Sequence, residues 1–235
     1  MNAEELYKEG RLTEAIETLN GVLRADPTDL RSRVFLFELL CFAGKYERAR
    51  RQLDAVGTAD PEMGVSSAWY QEALVAEEKR QEMFTKGELP DSGSSPSPVS
   101  GTLNGKPFGD LQDGDPRIGP RLEIIVGGRY TWMPLEHLAS LTMEPPKRLR
   151  DLFWAPVQIE TTQELGSYTG EALLPVMTPQ AYQHPDEGVR LGRWTEWKEI
   201  DTGEEVPIGQ KLLLVDDEVF PLLEVRELLV TSPDR

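Results

Sequence analysis

The opening of the chain repeats itself. Gly10-Arg11-Leu12-Thr13-Glu14-Ala15-Ile16 returns as Gly44-Lys45-Tyr46-Glu47-Arg48-Ala49-Arg50, and Ala25-Asp26-Pro27 returns as Ala59-Asp60-Pro61, each at a spacing of 34 residues. A fixed period of this length marks stacked helix-turn-helix units, each too small to bury its apolar face without a neighbour. The recurring residues have physical roles of their own. Gly10 and Gly44 fall where one helix must end and the next begin, a point that favours positive φ. Ala15 and Ala49 are small where two helices approach. Leu19 with Val22, and Leu53 with Val56, supply the apolar stripe of the second helix of each unit. Asp26-Pro27 and Asp60-Pro61 then stop that helix, because a residue before proline avoids the helical region.

Spacing and residue types together resemble the tetratricopeptide repeat, whose arrays present a groove to segments of other proteins. This array is short. Only Met1 to Glu9 precede Gly10, so the first unit has lost most of its first helix, whereas the second is complete with Leu30 to Ala43. A third unit opens at Gly64 to Val75, but Glu78 stands where the turn glycine belongs, and helix-forming residues run on to Phe84 as an extended capping helix. So few units need support from the rest of the chain.

The charge balance limits the partners. A net charge of −16 and a pI near 4.6 disfavour nucleic acid, whose phosphates repel such a surface. No apolar run is long enough to span a membrane, and the start does not read as an export signal. The single cysteine, Cys41, suits a reducing cytoplasm and lies in an apolar helix as a packing residue before a nucleophile.

We expect helical repeats over residues 1–85, a linker and loop over 86–120, and a β-rich domain over 121–235. Leu89 to Gly101 is rich in Ser and Pro and has little to bury, and Asn104-Gly105, Asp113-Gly114 and Asp115-Pro116 mark turns in the loop that follows. From Arg121 the period becomes strand-like: Leu122–Val126, a Gly127-Gly128 turn, and Arg129–Met133 in return, with Tyr130 and Trp132 assigned to the core. Pro134–Leu141 and Lys147–Phe153 read as short helices; Ala155–Thr161, Gly170–Met177 and Val189–Ile200 read as strands. Lys211–Val215 and Glu218–Leu222 flank a turn at Asp216-Asp217, and Leu223–Val230 closes the chain as strand or short helix. The expected class is α+β: a short tetratricopeptide-like array followed by a mainly antiparallel β-rich domain with short helices.

Several segments are similar to the ImpE (TagJ) family. They are Gly128-Arg129-Tyr130-Thr131-Trp132-Met133-Pro134-Leu135-Glu136-His137, Glu144-Pro145-Pro146-Lys147-Arg148-Leu149-Arg150-Asp151-Leu152, and His184 through Arg193. Asp115 to Pro120 and Gly209-Gln210-Lys211 through Asp217 fit as well, so the resemblance spans essentially the whole chain. It implies an accessory component of bacterial type VI secretion that binds the small contractile-sheath subunit (TssB/VipA type) through that subunit's N-terminal helical segment. It further implies a role in sheath handling near a ClpV-type ATPase.

Carried across the repeat pattern, the groove-facing residues are Arg31, Val34, Glu38 and Cys41, then Val65, Ala68, Glu72 and Val75. The competing reading has some of them packing against the C-terminal domain. A second partner-binding candidate is the basic run Lys147, Arg148 and Arg150 beside Trp154, since Arg and aromatic side chains anchor interfaces; packing under a solvated face is the competing reading for Trp154. Catalysis finds little support. Neither His137 nor His184 sits in a zinc-binding spacing, no phosphate-cradling loop or nucleophile elbow occurs, and Asp216-Asp217-Glu218 is explained by a turn. The chain is therefore expected to be a non-enzymatic binder without cofactor or metal. The alternative is a general tetratricopeptide adaptor or chaperone for another complex.

Overall fold

Five helices carry the repeats: α1 (Ala3–Lys8), α2 (Leu12–Ala25), α3 (Leu30–Phe42), α4 (Tyr46–Ala59) and α5 (Pro61–Lys86). They come from a computed structural model that describes residues 1–90, 97–163 and 166–231, with backbone alone over 61–66. The repeat glycines do what the spacing asked of them: Gly10 has φ +84° and Gly44 φ +65°, each closing the turn between two helices. Asp29 caps α3 by accepting from the Ser32 N–H at 3.0 Å. The extended last helix is present as one continuous α5 of 26 residues. Leu12, Ala15, Leu36, Leu39, Leu40, Ala49 and Leu74 are fully buried between the helices.

The second half is built from antiparallel strands. An eight-stranded sheet contains β1 (Ser100–Leu103), β2 (Lys106–Phe108), β4 (Arg121–Val126), β5 (Arg129–Pro134), β6 (Leu138–Met143), β7 (Trp154–Thr161), β8 (Thr169–Pro175) and β13 (Glu227–Thr231), in the spatial order β2-β1-β13-β6-β7-β8-β4-β5. β3 (Leu111–Asp113), β11 (Leu212–Val215) and β12 (Glu218–Pro221) form a three-stranded sheet; β9 (Glu196–Glu199) and β10 (Glu205–Ile208) pair separately. One short helix, α6 (Glu187–Arg190), precedes β9.

Strand alternation divides the sheet between two cores. Ile124, Ala155, Val157, Ile159, Ala172 and Leu174 point into a core closed by Leu111 and Leu213 of the smaller sheet. Their neighbours Ile125, Trp154 and Leu173 point the other way and join the helices in a shared core. The short array is thus supported by the β-rich half, as its length required.

Four sequence readings differ from the structure. Residues 102–120 were expected as loop, yet β1, β2 and β3 lie in or across them. Asn104-Gly105 is indeed a turn, with φ 50° and 77°, but it is the tip of a hairpin whose arms are only a few residues long. Pro134–Leu141 is not a helix: a single 3-10 turn, Leu135–His137, leads into β6. A register shift between Leu138 and Ser140 puts buried Leu138 and Leu141 three residues apart, which mimics helical spacing inside a strand. Val189–Ile200 is not one strand, because Asp186 caps α6 through the Gly188 N–H at 2.6 Å and Gly192 turns with φ +66° before β9 starts. Tyr130 and Trp132 are half-buried rather than core. Within the expected linker, residues 91–96 lie outside the described residues.

Candidate functional site

The β-rich half fills much of the face that α3 and α5 offer. Phe153 packs on Phe42 with ring centroids 5.2 Å apart, and Trp154 stacks near Tyr70 at 6.3 Å. The Trp154 indole N–H donates to Glu77 Oε2 at 3.3 Å. Arg150 Nη1 donates to Glu38 Oε1 at 3.0 Å, while its guanidinium lies 4.9 Å above the Tyr70 ring. Burial raises the Glu38 carboxyl above its ordinary value, with Arg150 opposing the rise. Burial also pushes the Cys41 thiol well up, so it stays protonated and is a packing group. Cys41 and Trp154, proposed from sequence as partner contacts, are 1% and 0% exposed. Both are corrected to interior residues, because the chain itself occupies that part of the groove.

Beneath this contact lies a buried ionic cluster. Arg80 of α5 reaches β4 through two bonds to Glu123, at 2.7 and 3.0 Å, and also donates to Glu77 Oε1 and the Met177 carbonyl, each at 3.0 Å. Lys211 pairs with both Glu123 and Asp113, and the Tyr130 hydroxyl donates to Glu123. Burial alone raises the Glu123 carboxyl, but Arg80 and then Lys211 override it and hold it well below the usual carboxylate range. Asp113 goes the other way: burial pushes it up to about 6 against the pull of Lys211. Every charge here answers another, and the arrangement reads as a lock between the two halves rather than a reaction centre.

A third contact uses the His184–Arg193 segment. Arg193 donates to the carbonyls of Tyr7 and, at 2.8 Å, of Lys8, the exposed end of α1. Glu187 accepts from the Thr13 N–H at 3.1 Å; α2 has no capping side chain of its own, so a residue from the other half caps it. Tyr182 lies so close over Gly44 that a Cβ there would sit 2.3 Å from its ring.

One stretch of the array stays open. A groove of ≈ 1380 Å³ runs between α1, the first turns of α3 and the segment around Lys147. Leu19, Val22, Leu30, Val34, Phe35 and Leu149 give it an apolar floor. Arg31, Lys8 and Lys147 stand on its rim with Glu4, and the buried Glu38 also lines it. The structure thus brings Arg31, Val34 and Glu38 together with Lys147, which the sequence had placed in a separate candidate. Arg148 is exposed beside it, and Arg150 lies behind, holding Glu38. Ala68, Glu72 and Val75 do not reach this groove: they are exposed on α5, with Glu72 against Gly128 of the β4–β5 turn. The Val65 side chain lies outside the described residues. Sequence reasoning missed Tyr7, Lys8 and Phe35; for the first two the signal was present in the Asn2-to-Lys8 stretch, a short helix that is nonetheless formed and closed by a capping box.

A family profile described as ImpE protein matches residues 105–229, and one for the tetratricopeptide repeat matches residues 6–75. The chain belongs to the ImpE family. It is 36% identical, over 97% of its length and 90% of the relative's, to a Pseudomonas aeruginosa protein named "Type VI secretion system accessory component TagJ". A Vibrio parahaemolyticus protein of known crystal structure shares the fold at TM-score 0.85, with 22% identity and 98% of each chain covered. In this ImpE-family chain, the segments that carried the resemblance divide their work. Arg193 ties the β-rich half to the array, Lys211 pairs with the Glu123 that Arg80 grips from the helical side, and Lys147 and Leu149 wall the open groove. Among the described residues no helix is long and apolar enough to cross a membrane, and no cluster of His, Cys, Asp or Glu is placed to hold a metal ion.

Proposed function

We propose that this chain is a non-catalytic accessory component of a bacterial type VI secretion system, acting in the cytoplasm. Its partner is the small contractile-sheath subunit (TssB/VipA type), taken up through that subunit's N-terminal helical segment and handled near a ClpV-type ATPase. The TagJ likeness across nearly the full length supports the system. The open groove carries the binding mode. A helix is a cylinder about 10 Å across, so ten residues occupy roughly 1,200 Å³, comparable to the ≈ 1380 Å³ between α1, α3 and Lys147. An apolar floor with a charged rim is the surface an amphipathic helix seeks.

The test is calorimetric titration of the full chain with the N-terminal helical peptide of its cognate sheath subunit. One-to-one binding that Val34→Glu weakens by about a hundredfold, roughly 2.7 kcal/mol, with an unchanged circular dichroism spectrum, supports the groove. Saturable binding untouched by Val34→Glu moves the contact elsewhere on the chain. No heat at high peptide concentration removes the sheath subunit as partner and brings forward a general adaptor.

A further inference from the structure

The groove runs against the charge of the protein that holds it. The chain carries −16 overall, yet the groove is lined by three cations and two carboxylates. Both carboxylates are engaged from within: Glu4 accepts from Arg31 at 2.8 Å and Glu38 from Arg150 at 3.0 Å. Two cations keep their charge toward the opening. Lys8, in the last turn of α1, is exposed and makes no ion pair among the described residues. Among the described residues Lys147 pairs only with Glu144, at 3.6 Å, with both side chains mostly in water. They stand on different walls, one on α1 and one on the segment after β6, with Arg148 exposed next to the second. Between them the floor offers Val34, Phe35 and Leu149, and Val22 is 39% exposed.

We infer that the groove selects an amphipathic helix whose apolar stripe is flanked by carboxylates, Glu or Asp, which meet Lys8 on one side and Lys147 with Arg148 on the other. The inference rests on the groove being the helix site proposed above and adds the chemistry it recognises. Apolar contact with the floor supplies the affinity. The two lysines supply selection: an acidic flank is steered in, and a basic flank meets like charge. The surrounding surface sharpens this, since a strongly acidic protein repels acidic segments everywhere except at such a patch.

The probes are two synthetic helical peptides with one leucine stripe at i, i+3, i+4 and i+7, one flanked by glutamates and the other by lysines. Each is titrated into the full chain and into a Lys8→Glu/Lys147→Glu variant, both sites being exposed and remote from the core. The glutamate peptide is expected to bind about tenfold tighter than the lysine peptide at low salt, and to lose that advantage as ionic strength approaches ~1 M, where screening acts within about 3 Å. In the double variant the preference is expected to reverse. Equal affinity, a preference for lysine, binding by neither peptide, or a preference surviving charge reversal overturns the inference. The two proposals fail separately. A sheath peptide that binds and is lost in Val34→Glu, with no preference between the synthetic pair, keeps the partner and discards the charge rule. A glutamate preference without sheath-peptide binding does the opposite.

Discussion

Replacing Arg80 by Met tests whether the ionic cluster joins the two halves. Arg80 is fully buried and makes four hydrogen bonds, two to Glu123 of β4, one to Glu77 of its own helix and one to the Met177 carbonyl. Met fills a similar volume but leaves Glu77 without its cation and Glu123 with Lys211 and the Tyr130 hydroxyl. Removing one partner from a buried pair typically costs about 3–5 kcal/mol, because the remaining charge is stranded away from water. Against a total stability of about 5–15 kcal/mol that is a large share. At roughly 2–4 °C per kcal/mol for a chain of this size, melting should fall by about 6–20 °C. Urea unfolding followed by tryptophan fluorescence and by far-UV circular dichroism gives the measurement. The fluorescence sums five tryptophans, of which Trp154 at the junction is fully buried, and the dichroism reports on helices throughout. In a cycle with Glu123→Gln, the coupling should be about 1–3 kcal/mol. A loss below about 1 kcal/mol, or strictly additive effects, refutes the argument that this cluster is a lock.

Asp113 gives the cluster a pH signature. Its proton is held in the folded protein up to about 6, above the ordinary 3.8, so its stabilising contribution is present below 3.8 and is lost as pH rises through about 6. Glu123, held low, contributes the opposite slope, with stability lost as pH falls below its ordinary range. Urea midpoints taken between pH 4 and pH 7 should fall less steeply with rising pH in Asp113→Asn than in the natural chain; parallel profiles would exclude Asp113 as the titrating group. Gly44→Ala should cost about 2 kcal/mol or more, from positive φ and the Tyr182 ring a Cβ would strike, and a thermal melt reads it directly. Gly21→Ala, inside α2 with nothing within 4 Å of the new methyl, should instead stabilise by about 0.5–1 kcal/mol in the same melt.

The helical array was legible because its constraints recur: Gly10 with Gly44, Ala15 with Ala49 and Pro27 with Pro61 each repeat one local demand at a fixed distance. The strands around Gly127-Gly128 and β7 were legible for the same local reason, a two-residue turn and clean alternation. What could not be read is non-local. Arg80, Glu123 and Lys211 lie far apart in the chain, and each alone resembles an ordinary surface charge; only folding brings them together. Cys41 came from the repeat and Trp154 from its basic neighbours, and both are interior because neither pattern says which part of the chain covers that face. The groove shows the converse. Val34 came from the repeat and Lys147 from a basic run, and no pattern within either segment indicates that they share a wall.

The clamps on the turns also fix how many repeats the array can hold. Stacked repeats ordinarily gain or lose units by duplication, since each touches only its neighbours. Here Arg193 closes the end of α1, Glu187 caps α2 and Tyr182 covers Gly44, all from one short stretch of the other half. One further 34-residue unit inserted between Gly10 and Gly44 would carry those turns apart by a full repeat, and a rigid segment that spans two of them cannot follow. The β-rich half thus acts as a gauge on its own array: in this chain a change in the number of repeats would break the contacts of Arg193, Glu187 and Tyr182, which a change of sequence elsewhere in the repeats leaves in place.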